Sequence, residues 1–313
     1  GMLVLGQGLF FGLGGYCMGM HMKIADAGPG NLPDILTYSG KYQSLPALWK
    51  PFSLAWFAVP MAILLPMAIA ALLGAAVFRQ RIRGAYFAIL SQALAGAFVI
   101  VIVGNLSLTG GTNGLTNFQS FFGLSLLNAA DQRILYFVVA VILLLAFLAT
   151  RALVLGRYGR VLIAVRDDED RVRFLGYDPA RVKLLAYVLA AGLAGLAGAL
   201  FVPVVGIISP ALLGIVPSIE MVIWVALGGR TALAWAAAGA VIVNWAKTNI
   251  SEQFPSGWLY LQGLLFVVVI LFLPKGVGGL VENLRALARR RRLLRRPRLG
   301  GAPKVPAKVE EIA

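Results

Sequence analysis

The chain has 313 residues, 59% of them hydrophobic and 13% charged, with a mean hydropathy of +0.83 and a formal net charge of +15. Such apolar content excludes an ordinary soluble domain and reads as a string of membrane spans, about 20 residues each. A single cysteine, Cys17, and a single histidine, His21, exclude an intrachain disulfide framework and a multi-ligand zinc site, so neither metal nor cofactor is expected.

Eight apolar segments follow one another, over 3–22, 53–78, 84–104, 134–150, 184–205, 217–229, 231–249 and 258–273. They predict an all-α fold, a polytopic transmembrane helical bundle of about eight spans over residues 1–280. A basic cytosolic tail follows over 281–313, disordered at its polar end. The stretch 23–52 carries Gly28-Pro29-Gly30-Asn31, Pro33, Pro46 and Pro51, which is turn chemistry and reads as an external loop. On the fifth segment Ala191, Gly195 and Ala199 recur at i, i+4 and i+8, as do Ala194 and Gly198. They form a flat ridge for close helix packing or for sliding against a neighbour. The sixth segment is short enough to be a broken or re-entrant helix.

Orientation follows from lysine and arginine. Placing 79–83, 151–183, 230 and 275–313 on one side gathers 23 of the 28 basic residues there, which makes that side cytoplasmic, and with it the C-terminus. The run Arg289 to Arg292 lies just beyond the last apolar segment, where it suits retention at the cytoplasmic face and contact with anionic lipid headgroups. No aromatic residues are interleaved with it, which argues against nucleic-acid binding.

Enzyme constellations are missing from the sequence. There is no phosphate-cradling GxxxxGK[ST] loop, no HExxH and no Ser-His-Asp set, so no catalytic residue is assigned and ATP hydrolysis is not expected of this chain. Ionisable residues within spans are few. Asp131, Glu220, Lys247 and Glu252 fall at predicted ends, which weakens a proton-coupled mechanism.

Two stretches stand out. The external loop Thr109, Gly110, Gly111, Thr112, Asn113 and Gly114 is denser in glycine than a connector needs. It reads either as a tight packed loop or as free backbone lining a polar solute's path. The second stretch, within 157–183, sets Arg160, Arg166, Asp167, Asp168, Glu169, Asp170 and Arg171 around a partial apolar stripe of Val161, Ala164, Val165, Val172 and Leu175. Acids toward the start and bases toward the end suit a helix dipole, and Gly176 suits its termination. Asp178 then caps a new helix with Pro179 at its first position. A cytosolic element of this length and polarity reads as a docking surface for a partner, or as a solvated loop.

At these residues the chain resembles the permease subunits of ABC importers for branched-chain amino acids. The likeness rests on Gly159-Arg160, Ala164-Val165-Arg166-Asp167 with Glu169, Gly176, Lys183 and Ala190 to Gly195. It extends to Leu5-Gly6-Gln7-Gly8 with Phe10-Phe11-Gly12, Arg83 to Phe87, Thr109-Gly110-Gly111, and Phe272 to Gly276. Within that family, Arg171 to Tyr177 and Thr109 to Thr116 are closest to the urea-importer branch, its second permease. The stretch Ser39 to Lys50 also looks specific to that branch. Family members carry one or two spans before the Leu5–Gly8 motif, so this chain is expected to lack them.

The resemblance implies a multi-pass permease of the bacterial inner membrane moving a small polar solute, with urea expected and a branched-chain amino acid or short amide as the alternative. A stand-alone channel or secondary transporter is the other class. The implied partners are a second related permease, two ABC ATPase subunits and a periplasmic solute-binding protein. The family's coupling loop, which sits in a groove on the ATPase, falls on roughly 160–178.

Overall fold

The computed structural model describes residues 4–38, 40–80, 84–229, 233–253, 257–272, 276 and 278–279. The tail over 281–313 with its Arg289–Arg292 run, Arg81–Arg83, Arg230 and Leu273–Lys275 lie outside the described residues, and so do the expectations placed on them. Twelve helices follow among the described residues: α1 (Gln7–Ala27), α2 (Asp34–Tyr38), α3 (Ala55–Arg79), α4 (Ala85–Gly104), α5 (Leu106–Thr109), α6 (Ala129–Leu155), α7 (Arg157–Asp167), α8 (Glu169–Phe174), α9 (Pro179–Val205), α10 (Ile215–Gly228), α11 (Leu233–Gln253) and α12 (Gly257–Phe272). Four two-residue strands, β1 (Leu115–Thr116), β2 (Ser120–Phe121), β3 (Leu124–Ser125) and β4 (Ile207–Ile208), form the antiparallel pairs β1–β4 and β2–β3.

The fold is the expected helical bundle, and each of the eight apolar segments lies on a helix. By length and hydropathy, α3, α4, α6 and α9 are able to cross a membrane, and α10 with α11 add a fifth span if they count as one bent pair. The count of eight is therefore not reached on that test. Five glycines together with Gln7, His21, Lys23 and Asp26 dilute the hydropathy of α1, and α12 is only 16 residues long. The chain divides into two compact units, Gly1–Ile223 and Trp224–Ala313.

In the first unit α1 is the central helix. Every residue from Gly8 to Lys23 except Phe11 is buried. A helix enclosed on all sides needs close neighbours, and glycine supplies them by letting backbone meet backbone. A Cβ on Gly14 would lie 2.0 Å from the Gly195 carbonyl oxygen of α9, and one on Gly198 would lie 1.8 Å from the Phe11 carbonyl oxygen. Gly195 is wedged from its other side by α3, where a Cβ would meet the Ala62 carbonyl oxygen at 2.3 Å. The small-residue ridge on α9 is thus a packing surface against α1 and α3. At the other end of the α3–α9 contact, a Cβ on Gly74 would crowd Leu184.

A second face of α1 receives non-helical backbone. After α9 ends at Gly206, in the left-handed region at φ 79°, the chain returns along α1 through β4 and a 3-10 turn at Pro210–Leu213. Ile208 packs against Gly15 and Gly19, Leu213 against Gly12, and Gly214 with Ser218 against Gly8. Ile208, Pro210 and Leu213 of this irregular stretch are buried, while Ala211 is exposed. The Ser218 hydroxyl accepts from the Gly8 N–H at 3.0 Å and donates to the Gly214 carbonyl at 3.0 Å, so a free amide at the start of α1 is satisfied. Gly6 meets the Ser91 carbonyl of α4, and the Gln92 side chain donates to the Leu5 carbonyl at 3.1 Å. Together these contacts account for Leu5, Gly6 and Gly8 of the Leu5–Gly8 motif.

Gly198→Val is expected to lower the thermal unfolding midpoint of the detergent-purified protein sharply, because overpacking costs about 1–3 kcal/mol. Gly96→Ala, at a site where a Cβ would find nothing within 4 Å, is expected to leave the midpoint unchanged. Equal behaviour of the two variants would contradict the packing described.

Candidate functional site

Two assemblies lie at opposite ends of α9. Its N-terminal end joins α7 and α8. Its C-terminal end leads into β4, which pairs with β1 through Leu115↔Ile208 and Thr116↔Ile207, just beyond the glycine loop.

At the β4 end, the loop residues have unequal roles. Thr109 is buried, and its hydroxyl contacts the carbonyls of Ile102 at 2.6 Å and Asn105 at 2.9 Å, closing the end of α4. Gly110, Gly111 and Gly114 all have positive φ, at 80°, 55° and 72°. The Gly114 N–H donates to the Gly110 carbonyl at 3.2 Å, and a Cβ on Gly114 would lie 2.0 Å from the Ile208 carbonyl oxygen. The loop is thus seated tightly on β4. It also forms one wall of a cavity of about 400 Å³, to which Gly110, Asn113 and Gly114 contribute. Thr109, Gly111 and Thr112 do not line it: Thr109 is turned into its own bonds, Gly111 faces Leu106, and Thr112 is exposed.

The cavity lining also includes two residues that the sequence reading did not select, Lys23 and Asp34. Lys23, 5% exposed, donates to both Asp34 carboxylate oxygens at 3.0 and 2.9 Å and to the Asn117 carbonyl at 3.3 Å. The signal was a lone lysine ending an apolar run and an acid eleven residues further along a turn-rich stretch, a pairing that periodicity does not reveal. Asp26, one turn beyond Lys23, accepts from the Gln119 N–H at 2.9 Å and the Ser120 N–H at 3.0 Å. His21 donates from Nδ1 to the Phe52 carbonyl at 2.8 Å, which fixes its tautomer. The C-terminal end of α1 therefore fastens both the stretch around α2 and the loop that follows β1. In the described part of the 23–52 segment Leu36 and Trp49 are fully buried, and a second cavity of about 560 Å³ is lined by Gln43, Ser44 and Leu45 among others.

At the other end, the charged stretch is not one helix. It breaks at Asp168, extended at φ −154°, whose side chain accepts from the Arg171 N–H and caps α8. Gly176 ends the element at φ 88°, and Asp178 caps α9 by accepting from the Ala180 N–H at 3.0 Å, with Pro179 at the first position, as the sequence indicates. The four acids do not form one patch. Asp167 pairs with Arg166 at 2.9 Å, Asp168 with Arg171 at 3.4 Å, and Asp170 with Arg173 at 2.9 Å, all near the surface, where such pairs contribute little. Glu169 turns inward, 16% exposed, to Lys183 of α9, which is 19% exposed, and approaches Arg173 at 3.6 Å. The Tyr158 hydroxyl donates to the Val182 carbonyl at 2.8 Å, and burial raises its pKa above the usual phenol value, so it remains a donor at neutral pH. Gly159 lets α7 fold back on the Val154 carbonyl, and Arg160 projects outward.

Of the apolar stripe, Val165 and Val172 are buried, whereas Leu175 faces outward at 72% exposure. Beside it Phe174 is 92% exposed and Tyr177 is also exposed. These apolar side chains, ringed by Arg171, Arg173 and Asp170, are the projecting feature of the element. Their signal in the sequence was apolar residues placed directly before and after a terminating glycine.

Residues 1–273 match the family described as branched-chain amino acid transport system / permease component. The High-affinity branched-chain amino acid transport system permease protein LivM of Escherichia coli (strain K12) is 27% identical over 300 residues, covering 88% of this chain and 64% of that protein. LivM of Salmonella typhimurium matches to the same extent, and the permease protein LivH of Escherichia coli (strain K12) is 29% identical over 148 residues, 46% of this chain and 48% of that protein. The chain thus spans about 64% of the length of the LivM relatives. No solved structure matches.

Glu169→Ala is expected to free α8 from α9, so that trypsin cuts at Arg171 and Arg173 several-fold faster in the detergent-solubilised protein. Asp167→Ala, which loses only an exposed pair, is expected to leave the cleavage rate unchanged. Equal cleavage of both variants would remove Lys183–Glu169 as the brace.

Proposed function

The chain belongs to the family of branched-chain amino acid transport permease components, and from that premise we propose that it is one of two membrane subunits of an ABC importer. It moves a small polar solute into the bacterial cytoplasm while partner ATPases hydrolyse ATP. The observation that carries this reading is the α7–α8 element. Phe174 and Leu175 project from a charged surface braced to a membrane-spanning helix, which suits insertion into a groove on a partner, with Asp170, Arg171 and Arg173 setting partner choice. The lysine and arginine asymmetry supports placing this element and the C-terminus on the cytoplasmic side and the glycine loop on the periplasmic side. A second related permease and a periplasmic solute-binding protein complete the proposed assembly.

Urea is the proposed solute, supported by the likeness of Arg171–Tyr177 and Thr109–Thr116 to the urea-importer branch. A branched-chain amino acid is the second reading, favoured by the LivM and LivH relatives. Uptake of labelled urea and labelled leucine, with and without the gene, decides between them. Urea uptake that depends on the gene supports the first reading, and leucine uptake alone replaces it with the second.

In mechanism, ATP binding by the partners favours one of two arrangements of the membrane subunits, and it can do so only through contacts that differ between them. α9 is the proposed link, because its first turns hold α8 and its far end carries β4 under the glycine loop. Phe174→Asp should leave membrane insertion intact but abolish co-purification of the ATPases and solute uptake. Asp167→Lys should weaken both by placing like charge against a basic groove rim. If both variants bind the ATPases and transport like the parent, α7–α8 is a solvated loop.

A further inference from the structure

We propose that the cavity beside the glycine loop is a binding site for a small neutral amide, recognised by the outward side of the Asp34 carboxylate. The inference rests on the transport reading above and narrows its solute class. The cavity, about 400 Å³, is lined by Lys23, Asp34, Ser107, Asn113, Gly114 and Asn117 among others, and lies in the size range of small-molecule sites.

Its charges decide what it accepts. Lys23 is buried on α1 and cannot follow a ligand outward. Its ammonium has three donors, and its contacts are the two Asp34 oxygens and the Asn117 carbonyl, with the Phe118 ring 5.6 Å away. The ammonium therefore has no donor left for an incoming anion, and Asp34 repels one. A cation that approaches Asp34 meets the Lys23 ammonium on the same two oxygens, which offsets the carboxylate's charge. A zwitterionic amino acid places its own ammonium beside that of Lys23 when it donates to Asp34, and its carboxylate finds no charged partner, because the Lys23 donors are taken.

A neutral amide needs no such rearrangement. The Asp34 side chain is 55% exposed. Its Oδ1 accepts from Lys23 and from the Ile35 N–H, while Oδ2 accepts only from Lys23 among the described residues, so Oδ2 retains an acceptor position toward the cavity. Amide N–H groups donate there, in a charge-assisted bond stronger than a neutral one. The amide carbonyl accepts from the Asn113 or Asn117 side-chain NH₂ or from the Ser107 hydroxyl, residues that line the same cavity. Urea and acetamide carry both halves of this pattern.

The sole cysteine of this chain, Cys17, is buried, so an introduced thiol can be read alone on this subunit once it is separated from its partners by electrophoresis. Leu106→Cys places one on the cavity wall at a residue that is not a proposed contact. In the assembled importer in vesicles, labelling by a membrane-impermeant maleimide should slow with added urea or acetamide by one plus the ratio of solute concentration to Kd, about tenfold at nine times Kd. Leucine and acetate should not slow it. Adding Asp34→Asn should reverse the pattern: amide protection is lost, and acetate now protects by pairing with Lys23. Should that variant fail to assemble, Asp34→Asn with Lys23→Gln removes both charges, and protection by either amide or acetate should be lost. Protection by leucine but not urea, by none of the solutes, or by amide in the charge-free variant to the parent's extent overturns the site. Urea uptake measured on the same vesicles judges the transport reading separately, since uptake without protection removes only the site, and protection without uptake removes only the transport role.

Discussion

The close approach of backbone to backbone between α1, α3 and α9 is the constraint on which the rest depends. Gly195 stands between Gly14 of α1 and Ala62 of α3, with no room for a side chain on either face. Apolar side chains gain little by meeting one another rather than lipid, so packing and backbone proximity supply the attraction between spans. Glycine at these positions allows α1 to be enclosed despite its polar residues. Its enclosure in turn fixes His21, Lys23 and Asp26 at one end, where each fastens a different stretch of chain outside the helix.

From that frame the two functional assemblies acquire fixed positions. β4 must lie on Gly15 and Gly19 of α1, and β1 must pair with β4, so the glycine loop is seated by the same contacts that enclose α1. At the far end of α9, Lys183 and the Val182 carbonyl hold α8 and α7. On the proposed reading, α9 joins the partner-facing element to the solute-facing one as one helix from Pro179 to Val205, with Pro203 in its last turn. The physical warrant for coupling is that continuity, together with a polar pocket at one end and exposed Phe174 and Leu175 at the other.

Much of the fold was legible in the sequence because apolar length and small-residue spacing are one-dimensional signals. Eight apolar runs mark eight helices, the 191–199 ridge marks the packing face of α9, and Asp178-Pro179 marks its start. Charge is a weaker guide. The acids at 167–170 are consecutive in the sequence, but the break at Asp168 sends Glu169 inward and makes Asp168 a cap. The glycine loop was recognised by density alone, which cannot tell its packed residues from those that reach the cavity. Lys23 and Asp34 went unselected because their pairing depends on how the 28–34 turn folds back over α1, information that neither hydropathy nor helical spacing contains.

Coupling through α9 is tested most directly by hydrogen–deuterium exchange of the assembled importer, with and without ATP under conditions that prevent hydrolysis. Transmission through α9 predicts that exchange changes both within 160–178 and within 106–117, and that Glu169→Ala abolishes the change at 106–117 while ATP binding persists. A change confined to 160–178 in the parent protein, or an unaltered response at 106–117 in the variant, would contradict it.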